Sequence, residues 1–147
     1  MKAVNPYLNF SDNCEAAFNF YKSVFGGEFV TVMRFKDVPS EELDESHQMS
    51  DGEAEKIMHV ALPIGQETIL MGSDVPEGMG AVTIGTNFAI SLSADSEAEA
   101  TALFNKLSAG GQVTMPLDKA FWGDYFGMLT DKFGVQWMVS YAYNQQD

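Results

Sequence analysis

The sequence predicts an α+β fold, two tandem βαβββ modules forming a curved mixed sheet with helices on its outer face. Three observations carry this. Short stretches alternate with period 2, two segments of helical period each stop at a Gly-Gly pair, and the second half of the chain repeats the order of the first. A module of that kind cannot bury its own sheet alone, so a duplicated pair within the 147 residues, modules about 1–75 and 86–143, makes one domain.

Residues 5–10 set Asn5, Tyr7 and Asn9 against Pro6, Leu8 and Phe10, a strand with two unlike faces. Ser11 and Asp12 offer N-cap oxygens. Ala16, Ala17, Phe20, Tyr21, Val24 and Phe25 then recur at helical spacing until Gly26-Gly27. Residues 29–35 read as a strand rich in Val, Thr and Phe. From 36 to 55 the pattern stops in a long acidic loop holding Glu41, Glu42, Asp44, Glu45, Asp51, Glu53 and Glu55. Loops of such length in small domains are functional lids or mobile segments. Strands at 57–64 and 68–73 follow, joined at Gly65-Gln66, and 74–85 has linker composition. The order then recurs: strand 88–93, helix 97–108, stop at Gly110-Gly111, and strands 113–115, 125–130 and 136–141.

Composition narrows the function. Eight basic against 21 acidic residues give a formal charge of −13, so a phosphate-rich partner is repelled and nucleic-acid binding is not expected. No apolar run approaches the roughly 20 residues of a membrane span, and no secretory leader is read. The single cysteine, Cys14, fits a reducing, cytoplasmic compartment and reads as a small helix-facing side chain.

Were the two sheets to pair edge to edge, the helices would cover one face and the other would form a concave trough. Alternation then assigns Leu8, Phe10, Phe88, Ile90 and Leu92 to the helix side. Asn5, Tyr7, Asn9, Asn87, Ala89 and Ser91 fall to the trough. In 57–64 the continuous apolar set is Met58, Val60, Leu62 and Ile64, which leaves Ile57, His59 and Ala61 facing the trough. Trp137 and Val139 are assigned to the core, with Gln136, Met138 and Ser140 opposite.

Two βαβββ modules, the helix text from Ala17 to Gly26 and the closing Asp131-Lys132-Phe133-Gly134-Val135-x-Trp137-Met138 resemble the vicinal oxygen chelate superfamily of glyoxalases, bleomycin-resistance proteins and extradiol dioxygenases. The likeness is greatest to its PhnB-like branch, through Pro6-Tyr7-Leu8-x-Phe10, Ile57-Met58-His59, Met71-Gly72-Ser73-Asp74 and Phe121-Trp122-Gly123. The resemblance implies a small-molecule ligand and a homodimer. It also implies a divalent metal held by His or Glu from the first and last strands of each module. Those places fall here on Asn5, Met71, Asn87 and Met138, amide and thioether donors that suit such an ion poorly. The metal is therefore expected to be absent, and with it the Lewis acid of glyoxalase or dioxygenase chemistry. Members of the branch have also carried the label of a demethylubiquinone methyltransferase. This chain shows no Gly-rich nucleotide loop after a parallel strand to match that label.

His59 has the titration range of a proton shuttle and is the candidate catalytic residue, although a histidine hydrogen-bonded in the interior is the simpler reading. His47 sits in the acidic loop and reads as surface. Trp122, within Phe121-Trp122-Gly123-Asp124-Tyr125, forms either an aromatic wall or packing at a turn. Asp74 and Asp131 read as turn organisers. The expected function is metal-free binding of an apolar or aromatic metabolite by Tyr7, Asn9, His59, Met71, Trp122 and Met138. The alternative is a divalent-metal-dependent lyase or isomerase using His59 and loop residues.

Overall fold

A computed structural model describes residues 1–39 and 51–143 of the protein. It divides into two compact units, Met1–Thr83 and Ile84–Asp147, with the boundary inside the predicted linker. Each unit runs strand, helix, then three strands, and each builds its own four-stranded mixed sheet.

In the first unit β1 (Tyr7–Phe10) is followed by α1 (Cys14–Phe25), β2 (Thr31–Arg34), β3 (Ile57–Ile64) and β4 (Thr68–Asp74). The sheet order is β1-β4-β3-β2, with β1 parallel to β4 and the other pairs antiparallel. The strand predicted at 5–10 begins only at Tyr7. Asn5 turns its side chain to the backbone instead, its Oδ1 accepting from the Ile69 amide at 3.0 Å. The segment predicted as pattern-free is partly helical, with a 3₁₀ turn at Phe35–Asp37 and a short helix α2 at Asp51–Ala54. His47 and the acids from Glu41 to Glu45 lie outside the described residues.

Helix α1 lays Cys14, Ala17, Phe18, Tyr21 and Val24 on the sheet, where they meet Leu8, Phe10, Val60, Leu62 and Leu70 in the buried core. Phe18 stands edge-on to both Phe10 and Tyr21. It fits because β4 offers Gly72 beneath it: a Cβ there would lie 2.6 Å from Phe18 Cε2. The predicted capping by Ser11 or Asp12 is not the one found. Asn13 occupies the N-cap position and makes no side-chain bond, and Asp74 Oδ1 accepts from the Cys14 amide across the sheet. Asp74 is thus no local turn former but the buried last residue of β4.

The predicted sides of Ile57 and Met58 are also corrected. Ile57 is fully buried and lines a cleft together with Val60 on the α1 side, while Met58 is half-buried. Pairing runs Met33 with His59 and Arg34 with Ile57, so Met58 is the extra residue of a β-bulge and the alternation inverts there.

The second unit contains β5 (Ile90–Ser93), α3 (Glu97–Ser108), β6 (Gln112–Lys119), β7 (Asp124–Thr130) and β8 (Gln136–Ala142), in the order β5-β8-β7-β6. Ser96 caps α3 as its side chain accepts from the Glu99 amide, and Glu99 accepts in turn from the Asp95 amide. Leu129, Trp137 and Val139 join Phe104 and Leu107 in the core. Phe88, expected on the helix side, precedes β5 and is exposed, because the strand starts two residues later than predicted. β6 is longer than the predicted 113–115, running through Pro116, which an edge strand accommodates without an amide hydrogen. Asp131 does organise its turn: Oδ1 accepts from the Phe133 and Val135 amides and Oδ2 from Trp137 Nε1 at 2.8 Å.

Candidate functional site

With α1 on one face of the first sheet, the opposite face carries alternate residues from all four strands. Register places Tyr7 beside Met71, Met71 beside Ala61 and Ala61 beside Thr31, and puts Asn9 beside Ser73 and His59 beside Met33. Four of the six predicted ligand residues, Tyr7, Asn9, His59 and Met71, therefore share one open face. Among the described residues no Asp, Glu, Lys or Arg occupies a strand position on it, although the full sequence holds 29 such residues, 21 acidic and 8 basic. Arg34 of β2 points to the helix side, where Nη1 and Nη2 clasp the Glu15 carboxylate at 3.1 and 2.5 Å. Asp74 is likewise spent on the helix side, on the amides of Cys14 and Ile57.

On the open face the Tyr7 hydroxyl lies 3.3 Å from His59 Nδ1, and the two rings stack with centroids 5.8 Å apart. The tautomer sets which of the pair donates. With Tyr7 donating, Nε2 is left carrying its proton and turned away from the phenol, a donor for a ligand oxygen. The expected interior histidine is thus not found: His59 is half-buried and its partner is itself exposed. The partner lies 52 residues away in sequence, which is why no local motif announced it.

Trp122 and Met138 belong to the second unit. There the face opposite α3 carries Phe126, Met128 and Met138, and Trp122 packs edge-on against Phe126 at 5.5 Å. Within this aromatic segment Phe121 and Trp122 are exposed, whereas Tyr125 turns to the helix side and bonds Thr101 of α3.

The helix side of the first unit holds a cleft of about 90 Å³ between α1 and β2–β3, lined by Glu15, Phe18, Phe29, Val32, Ile57 and Val60. That is far below the roughly 300–1,000 Å³ of metabolite pockets. Glu15 of this lining is paired with Arg34: the guanidinium holds the Glu15 carboxyl below the usual carboxylate range, and Glu15 raises Arg34 in return. Cys14, fully buried, has its thiol pushed far up by burial and then by the Asp74 and Glu15 charges, which leaves it unreactive.

Among the described residues no group of three or more His, Cys, Asp or Glu side chains could hold a metal ion. The four positions where the family's ligands fall fit a divalent cation poorly. Asn5 Oδ1 is already committed to the Ile69 amide, Met71 and Met138 are neutral thioethers, and Asn87 lies before the start of β5. No helix among the described residues is long and apolar enough to cross a membrane.

The model of the Glyoxalase/Bleomycin resistance protein/Dioxygenase superfamily matches residues 3–139. Protein YjdN of Escherichia coli K12 is 29% identical over 145 residues, which cover 97% of each chain. The crystal structure of protein PA1353 from Pseudomonas aeruginosa is 40% identical with a TM-score of 0.81, over 95% of this chain and 96% of that one. A PhnB protein from Bacillus cereus is 26% identical with a TM-score of 0.69, over 95% of this chain and 98% of that one.

Proposed function

Because the chain belongs to the glyoxalase/bleomycin resistance protein/dioxygenase superfamily, we propose that it binds a small, uncharged aromatic or apolar metabolite on the open sheet face of its first unit, without the superfamily's divalent metal. One observation carries this reading: in a chain of charge −13, that face is free of formal charge at every strand position. A neutral face in so acidic a molecule avoids the repulsion an anion would meet and gives a cation no partner. Tyr7 and Met71 supply aromatic and soft apolar contact, while Asn9 and the His59–Tyr7 pair supply hydrogen bonds that orient a hydroxyl or carbonyl group. Trp122 and Met138 would give the second unit's open face the same apolar character. The protein acts as a cytoplasmic homodimer in this reading.

The test is thermal shift and calorimetric titration against a panel of uncharged phenols, quinones and indoles. A ligand at 100 times its Kd stabilises the folded state by about 2.7 kcal/mol, enough for a shift of several degrees. The shift should survive chelator treatment and be lost in Tyr7→Phe/His59→Ala. If only anionic compounds shift the transition, or if added Zn²⁺ or Ni²⁺ is required, the reading fails and a metal-dependent lyase or isomerase takes its place.

A further inference from the structure

The open face of the second sheet carries a row of methionines of which the metabolite reading uses only Met138. Register sets Met115 of β6 opposite Met128 of β7, Met128 opposite Met138 of β8, and Met138 opposite Ser91 of β5. Three thioethers thus stand in one row on three adjacent strands. All lie on the face away from α3, since the alternate positions Leu129, Trp137 and Val139 form the core. None of the three is buried, and Met115 is 43% exposed, so packing beneath the helix does not account for them.

We propose that Met115, Met128 and Met138 form a binding site for a soft monovalent cation, Cu(I), held by three thioether sulfurs. Neighbouring strands lie about 4.8 Å apart, so the two outer Cα atoms stand about 10 Å from one another with Met128 midway. A methionine side chain has three rotatable bonds, which lets both outer sulfurs lean inward over the central one. The bulges that shift β6 against β7 on either side of Met115 allow its strand to adjust. Neutral thioethers select a soft d¹⁰ monovalent ion and bind hard divalent ions weakly. Met138, a poor donor for the superfamily's usual metal, is therefore a good one here. Asp118 pairs with Phe126 and shares this face, and with the charge of −13 it favours entry of a cation.

The experiment uses the full chain with Cys14→Ala, which removes the only thiol, and titrates Ag(I) as a redox-inert stand-in and Cu(I) under anaerobic competition with a chromophoric chelator. One equivalent should bind, X-ray absorption should find sulfur and no nitrogen around copper, and Trp122, edge-on to Phe126, should change its emission. Met128→Leu conserves volume and should weaken binding by at least about 100-fold, the upper end of what losing a mere supporting partner costs. Met79→Leu, in an exposed loop, should change nothing. Nitrogen in the copper shell, equal binding by Met128→Leu, or stoichiometry that falls equally with Met79→Leu would overturn the proposal. Circular dichroism and the thermal transition of Met128→Leu separate loss of the site from loss of the fold.

Discussion

Asp74 ties the start of α1 to the start of β3 in the first unit, and its removal gives a quantitative test. It is 2% exposed, and its two oxygens accept from the Cys14 amide at 3.0 Å and the Ile57 amide at 2.9 Å. The first amide is one of the donors that α1 cannot satisfy within itself, and the second opens β3. Replacing Asp74 by Ala strands both in a buried setting. Each unsatisfied donor costs about 1–3 kcal/mol, and the two share one acceptor group, so the expected loss is about 3–5 kcal/mol. Asn keeps one acceptor and sets an amide donor against the other N–H, for a loss of about 1.5–3 kcal/mol. Against a typical stability of about 5–15 kcal/mol the Ala variant is severely weakened. Urea denaturation followed by circular dichroism reads the energies, and hydrogen exchange at the Cys14 and Ile57 amides reads the mechanism. An Ala variant within about 1 kcal/mol of the parent, or exchange unchanged at both amides, would refute the assignment.

Gly127→Ala would bring a Cβ to 2.8 Å from Leu117 Cα and 2.7 Å from Phe104 Cε2, one of them backbone that cannot swing away, so denaturation should show a loss of about 1–3 kcal/mol or more. Gly52→Ala in α2, with open space around it, should instead be neutral or stabilising by up to about 1 kcal/mol. The Glu53 carboxyl is held below its ordinary 4.5, chiefly by the hydrogen bond from Lys56. A depressed carboxylate contributes stability that is present above pH 4.5 and lost as pH falls through its lowered value, so Glu53→Gln should flatten the acid limb of the stability curve below pH 4.5. Lys56 is raised above 10.5 by the same bond, and its contribution should be lost as pH climbs beyond 10.5. Parent-minus-variant curves isolate this pair from the general charge repulsion of the chain.

Much of the fold was legible because it rests on local pattern. Alternation in β1 and β8 placed Leu8, Phe10, Trp137 and Val139 in the core correctly, and the Gly-Gly stops bounded both helices. The misplacement of Ile57 and Met58 has a different origin: a bulge is a relation between two strands, and β3 read alone shows only its own alternation. Phe88 carries the apolar signal of a strand residue, but β5 pairs with β8 only from Ile90 onward. Asp74 followed a run of strand residues before Pro76, so a turn was the economical reading. Its true partners lie 60 and 17 residues away. Of the candidate site, the shared face of Tyr7, Asn9 and His59 followed from the period of two, and Met71 from the family resemblance. The Tyr7–His59 hydrogen bond did not, since it spans from β1 to β3 over the intervening β4.

The central claim is that this sheet face recognises a neutral ligand through Tyr7 and His59 and needs no hard divalent ion. The most direct measurement is elemental analysis, paired with calorimetric titration of an uncharged aromatic probe, on protein purified without a metal-chelating tag. Zinc, nickel, iron and manganese are expected far below one equivalent per chain, with binding of the probe undiminished by chelator. One equivalent of any of these four that disappears together with probe binding on chelation, and returns with it on reloading, would contradict the account.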